Sequence, residues 1–147
     1  MFRSFMPDAL TQARAAAARG EVPVGAVVTR AGRIVAQAGN RTRELRDPTA
    51  HAEMLAIRAA CDVLGQERLS GCDLWVTLEP CAMCAQAIAH ARLDRLYFGA
   101  ADPKSGGVLQ GARVFAHPQT HHRPEVHDGI DAPACAALLA GFFAARR

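Results

Sequence analysis

Aromatic side chains are scarce in this chain, with six Phe, one Tyr and one Trp, which argues against an extended platform for stacking bases. Long apolar runs are missing too. Half of the residues are hydrophobic, yet no stretch approaches the roughly 20 residues that span a bilayer, so no membrane partner is expected. Neither sign of charge dominates: 17 Lys and Arg against 14 Asp and Glu give a formal net charge of +3. That mild excess permits an anionic partner without demanding one. The opening segment, MFRSFMPDALTQ, lacks an apolar core followed by a small-residue cleavage site. The five cysteines are an odd number in a chain of 147 residues, long enough to build a core without disulfides. A cytoplasmic protein is expected. No repeat, low-complexity tract or linker interrupts the sequence, so residues 1–147 are read as one domain.

What is present alternates between two periods. Residues 8–20 favour a helix closed by Gly20. Residues 22–30 and 33–39 predict two strands joined at Ala31-Gly32. Residues 47–64 predict a helix with Asp47 as N-cap and Pro48 at its first position, and Met54, Leu55, Ile57 and Leu64 on one face. Residues 72–78 predict a buried strand and residues 95–100 another strand, residues 81–92 and 132–145 helices, and residues 101–123 a Gly- and Pro-rich loop with some short helix. The order predicts a three-layer α/β/α sandwich with a mixed sheet of about five strands.

Two helix starts carry the chemistry. One offers Cys81 and Cys84 after Glu79-Pro80, and the other offers His51 and Glu53 after Asp47-Pro48. The cysteine pair alone admits redox exchange, a structural metal or catalysis. Thiolates at a helix N-terminus feel the positive end of the dipole, which favours metal binding. Residues three apart share one side of a turn, so both sulfurs can reach one ion, with His51 as a third ligand. Three protein ligands on zinc leave a position for water, as in catalytic sites. Zinc then acidifies that water into a hydroxide nucleophile, and Glu53 is the candidate to carry its proton. Residues two apart on an ideal helix point about 200° from each other, so His51 and Glu53 can serve one pocket only over the helix's end.

Other readings of these residue types are plainer. Cys61, Cys72 and Cys135 read as small buried apolar side chains. His90 reads as a helix-surface residue. The histidines of 117-HPQTHHRPEVH-127 match no zinc spacing and read as solvated loop residues. Asp102, in an Asp-Pro pair, suits a turn, Lys104 a solvated surface, Phe143 a core, and Arg146 the end of a helix.

The paired signature 51-HAE-53 and 80-PCAMC-84 resembles that of the cytidine deaminase-like zinc hydrolases, for which it is a known mark. The stretches EVPVGAVV (21–28), DPTAHAE (47–53), VTLEPCAMCAQAIAHAR (76–92), YFGAADPKSG (97–106) and CAALLAGFFAARR (135–147) resemble the bacterial tRNA-specific adenosine deaminases, nearly end to end. That resemblance implies a cytidine deaminase-like fold and one Zn2+ per subunit, held by His51, Cys81 and Cys84, with Glu53 as the catalytic proton carrier. It implies hydrolytic deamination at C6 of the wobble adenosine of a tRNA, arginine tRNA in this family, giving inosine. Asn40 and the backbone N–H of Ala52 would meet the flipped base. Asp102, Lys104, Phe143 and Arg146 would touch the anticodon stem-loop. A homodimer is implied as well.

Two features depart from the family pattern. The segment SGGVLQGARVF (105–115) lacks the usual G-S element, and no longer basic tail follows Arg147. With a net charge of +3, a monomer would bind RNA weakly, because phosphate contacts supply much of the affinity. Two rivals share the metal pattern. A deaminase of a free base or nucleoside, such as guanine, cytosine or cytidine, would release ammonia from those compounds. A non-catalytic zinc module would have no use for an unligated Glu53 beside His51.

Overall fold

Ala31 and Gly32 both take positive φ, 51° and 74°, the twist that joins two adjacent strands most tightly. They connect β1 (Gly25–Arg30) to β2 (Arg33–Gly39). The computed structural model describes residues 2–146, so Arg147, with which the last helix was expected to end, lies outside the described residues. The remaining strands are β3 (Cys72–Leu78), β4 (Arg95–Ala100) and β5 (Glu125–His127). The sheet order is β2-β1-β3-β4-β5. The pairs β1/β2 and β1/β3 are antiparallel, and β3/β4 and β4/β5 are parallel. This is the mixed five-stranded sheet the alternating pattern predicts.

Helices cover both faces. On one side lie α1 (Met6–Ala18) and α5 (Ala132–Ala144), on the other α3 (Ala52–Leu64) and α4 (Ala82–Ala91). The larger core joins Ile57, Ile88 and Leu93 to Leu74, Val76, Leu96 and Phe98. The smaller packs Phe5, Met6 and Leu10 on Val27, Trp75 and Tyr97. Each fully buried side chain of this size contributes roughly 1.5–3 kcal/mol. The approach of α1 to the sheet needs Gly25, where a Cβ would stand 2.0 Å from the Ala9 carbonyl oxygen. Among the described residues, no helix is long and apolar enough to cross a membrane.

Several boundaries differ from those the sequence predicts, each for a local reason. β1 starts at Gly25 rather than residue 22, since Pro23 has no N–H for a ladder and Val24 N–H turns back to the Val22 carbonyl at 2.8 Å. α1 starts at Met6, with Pro7 in its first turn, and ends at Ala18. The helix predicted from residue 47 starts at Ala52. The Asp47 carboxylate accepts the Thr49 backbone N–H at 2.8 Å and its hydroxyl at 2.7 Å, and so closes a turn rather than capping a helix. The four-residue α2 (Thr42–Leu45) and β5 were not expected.

Candidate active site

The parallel strands β3 and β4 end side by side, and the crevice beyond the carboxyl ends of such strands is where α/β folds bind ligands. β3 runs through Leu78 into Glu79, Pro80 and the N-cap of α4, which is Cys81. The N-cap of α3 is His51, with extended backbone angles of φ −73° and ψ 153°. Neither His51 nor Cys81 caps its helix with its side chain. Both side chains turn toward one another instead. His51 Nδ1 lies 3.4 Å from Cys84 Sγ and 3.7 Å from Cys81 Sγ. The three donor atoms all fall within 4.8 Å of one another.

Because His51 sits before the helix proper, the opposed directions of positions i and i+2 do not apply, and Glu53 reaches the same pocket. Asn40 satisfies the first free N–H of α3 from outside the helix: its Oδ1 accepts from Ala52 N at 2.7 Å. The Ala52 amide, expected to face a base, is thus committed to Asn40. An N–H can be accepted only by the carbonyl side of the amide, so the Asn40 NH2 is left to face the pocket.

The electrostatics suit a cation. The Cys84 thiol and His51 hold Cys81 well below an ordinary thiol, at about 4, and the contact with Cys81 pushes Cys84 upward. A metal that binds the pair displaces the thiol protons. His51 is raised, chiefly by its contact with Cys81. Glu53 is 4 % exposed, and burial lifts its carboxyl to about 7. Two sulfurs and one imidazole nitrogen are donors that zinc prefers.

The pocket has a volume of about 240 Å³ and is lined by Asn40, His51, Glu53, Glu79, Cys81 and Asp102, among others. It shares Val22, Leu78, Asp102 and Ser105 with a larger groove of about 770 Å³ that also meets Lys104, Phe143 and Arg146. Asp102 serves the turn as well, its carboxylate accepting from the amides of Lys104 at 3.1 Å and Ser105 at 3.0 Å. Phe143 is 48 % exposed, not a core residue. The Arg146 guanidinium lies over the Phe142 ring at 3.5 Å.

The 117–127 histidines do not gather. The ring Nε2 of His117 lies 2.7 Å from the Ala112 carbonyl oxygen, and that of His122 lies 2.6 Å from that of Leu93. Among the described residues, His51, Cys81 and Cys84 form the one group of three close metal donors.

Two further residues shape the site without belonging to the zinc-binding motif. Glu21 is 1 % exposed and accepts the amides opening α2, from Arg43 at 3.1 Å and Glu44 at 2.8 Å. Glu79 is 2 % exposed and accepts four amides of the opposite wall. The only signal for Glu79 was its place between a buried strand and a proline.

The sheet, its helix layers and this donor set define a zinc-binding deaminase. Residues 2–100 match the family model described as the cytidine and deoxycytidylate deaminase zinc-binding region. Within that class, the chain belongs to the family of the tRNA-specific adenosine deaminases. It is 56% identical over 143 residues to the tRNA-specific adenosine deaminase of Agrobacterium fabrum, covering 97% of this chain and 94% of the relative. A solved structure from a study of A-to-I editing by tRNA:A34 deaminases at the wobble position superposes with a TM-score of 0.91 at 57% identity, covering 92% of this chain and 98% of the other. A guanine deaminase from Nitrosomonas europaea superposes at 0.83 but at 26% identity, covering 95% and 82%.

Proposed function

We propose that this protein hydrolytically deaminates the wobble adenosine of a tRNA, arginine tRNA foremost, to inosine. The observation that carries the reading is that the pocket of His51, Glu53 and Cys81 shares a wall, through Val22, Leu78, Asp102 and Ser105, with the groove of Lys104, Phe143 and Arg146. A free base such as guanine would fill the pocket and leave the groove idle. A nucleotide within an RNA loop uses both.

His51 Nδ1, Cys81 Sγ and Cys84 Sγ would hold one Zn2+, which supplies Lewis-acid activation of water when bound. The wobble base is already unpaired in its loop, so its extrusion costs less than flipping a duplex base. Asn40 positions the base by donating from its NH2, its oxygen being fixed by Ala52. Glu53 accepts the proton of the attacking water and delivers it to the ring nitrogen beside C6, then takes the proton of the new C6 hydroxyl and passes it to the amine as the C6–N bond breaks. Water and adenosine thereby become inosine and ammonia. A carboxyl with a pKa near working pH passes protons in both directions, and the burial of Glu53 moves it that way.

The same proposal includes a homodimer acting in the cytoplasm. A net charge of +3 gives one subunit few phosphate contacts, and a second copy enlarges the basic surface. Sedimentation with and without an anticodon stem-loop reads the assembly state.

The test incubates purified protein with arginine-tRNA stem-loops bearing A or G at the wobble position and sequences them for inosine. Ammonia release from guanine, cytidine and adenosine runs alongside. Inosine at the wobble A, without turnover of the free compounds, supports the reading. Rapid ammonia release from guanine or cytidine, with the stem-loop unchanged, overturns it in favour of a free-base deaminase.

A further inference from the structure

Glu79 is a carboxylate only 2 % exposed, and among the described residues it has no ion-pair partner. Burying an unpaired charge is costly unless hydrogen bonds replace its water. Here the backbone replaces it completely. Oε1 accepts from Asp102 N at 3.0 Å. Oε2 accepts from Val108 N at 3.1 Å, Leu109 N at 2.8 Å and Gln110 N at 3.0 Å. One side chain therefore clamps both ends of the segment 102–110.

That segment is the wall shared by the catalytic pocket and the groove, since Asp102 and Ser105 line both and Lys104 lines the groove. It also rests against the start of α4. Gly106 bridges to Cys81, and Gly107 donates to the Pro80 carbonyl at 2.8 Å. The packing leaves no slack: a Cβ on Gly106 would stand 2.6 Å from Glu79 Cδ, and one on Gly107 would stand 2.5 Å from Ala82 N.

We infer that Glu79 is a positioning residue that fixes the 102–110 wall and so sets how the polynucleotide enters the pocket, while the metal ligands stand without it. The inference deepens the proposed function and rests on that reading for its kinetic arm. Its chemistry is specific to a carboxylate, because only two oxygens with no hydrogen between them accept at both positions. In Glu79→Gln the amide nitrogen must face either Asp102 N–H or the amides of residues 108–110, and there donor opposes donor. Side-chain volume is unchanged, so packing is preserved.

The experiment compares zinc-loaded wild type with Glu79→Gln in two readouts. Amide hydrogen exchange in the variant is expected to quicken about tenfold at residues 102 and 108–110, with α3 and β3 unchanged. KM for a wobble-A stem-loop is expected to rise about tenfold, with kcat within about threefold and zinc content kept. A second variant, Gly106→Ala, sets its Cβ 2.6 Å from Glu79 Cδ, so it disturbs the same clamp from the wall side without removing the carboxylate oxygens, and it is expected to raise KM in the same direction. Faster exchange spread evenly over the protein, a fall in kcat and zinc at constant KM, or no change in either readout would overturn the inference. Should the wild type make no inosine, the proposed function fails by itself. The exchange pattern still decides whether Glu79 holds the wall, and a variant too unstable to purify leaves Gly106→Ala to decide it.

Discussion

The side-chain oxygen of Asn40 accepts the backbone amide of Ala52 at 2.7 Å, so a residue at the end of β2 caps a helix twelve positions further on. Two tasks meet in one amide group. Its oxygen completes the start of α3 beside His51 and Glu53, and its nitrogen faces the pocket.

The two tasks separate by mutation. Asn40→Asp keeps an acceptor for Ala52 and loses the donor. It is expected to retain metal and fold while raising KM for the stem-loop about tenfold. Asn40→Ala loses both and costs about 1–2 kcal/mol of stability in addition. Thermal melts and steady-state kinetics on the two variants check this, and an Asn40→Asp enzyme with unchanged KM would count against the role.

Glu21 holds the neighbouring segment as Glu79 holds its own, through the Arg43 and Glu44 amides. Truncation leaves those amides without their acceptor. Glu21→Ala is expected to destabilise by about 1–3 kcal/mol, read as a lower midpoint in urea at unchanged slope.

The groove predicts a salt signature. Lys104→Ala and Arg146→Ala should each flatten the dependence of stem-loop affinity on salt, by about 0.7 in the log–log slope for each phosphate no longer neutralised. Fluorescence anisotropy across a salt series measures it. Deamination of free nucleosides, if any, should not respond.

Removing the metal tests the donor set. Cys84→Ala or His51→Ala should lower bound zinc to well under one per chain. In the wild type a chelator should abolish inosine formation, and added Zn2+ should restore it. Elemental analysis beside the editing assay reads both. Since ligand thiols must lose protons to bind, zinc affinity should weaken as pH falls.

Much of the architecture was legible because local chemistry and global fold agree. The tight turn at Ala31 and Gly32 is what a two-residue break ending in glycine between two apolar runs implies, and Cys81 and Cys84 fall on one helix start because their spacing is a helical one. The start of α3 was misread because Asp47-Pro48 carries the right residue types for a cap, while a competing local bond to Thr49 captures the aspartate. β5, three residues long and half-exposed, has too little periodicity to register. Glu21 and Glu79 look like surface charges in one dimension. Their burial depends on amides brought from 22 to 31 positions away, which no window along the chain contains. The joining of pocket and groove is likewise a product of β3 and β4 ending together.

The most direct measurement is paired zinc content and wobble-A editing in Glu53→Ala. This side chain lies beside the donor triad without belonging to it. One zinc per chain, as in the wild type, is expected, with inosine formation reduced by about 10²–10⁴-fold. Turnover close to wild type, or zinc lost together with the carboxylate, would contradict that expectation.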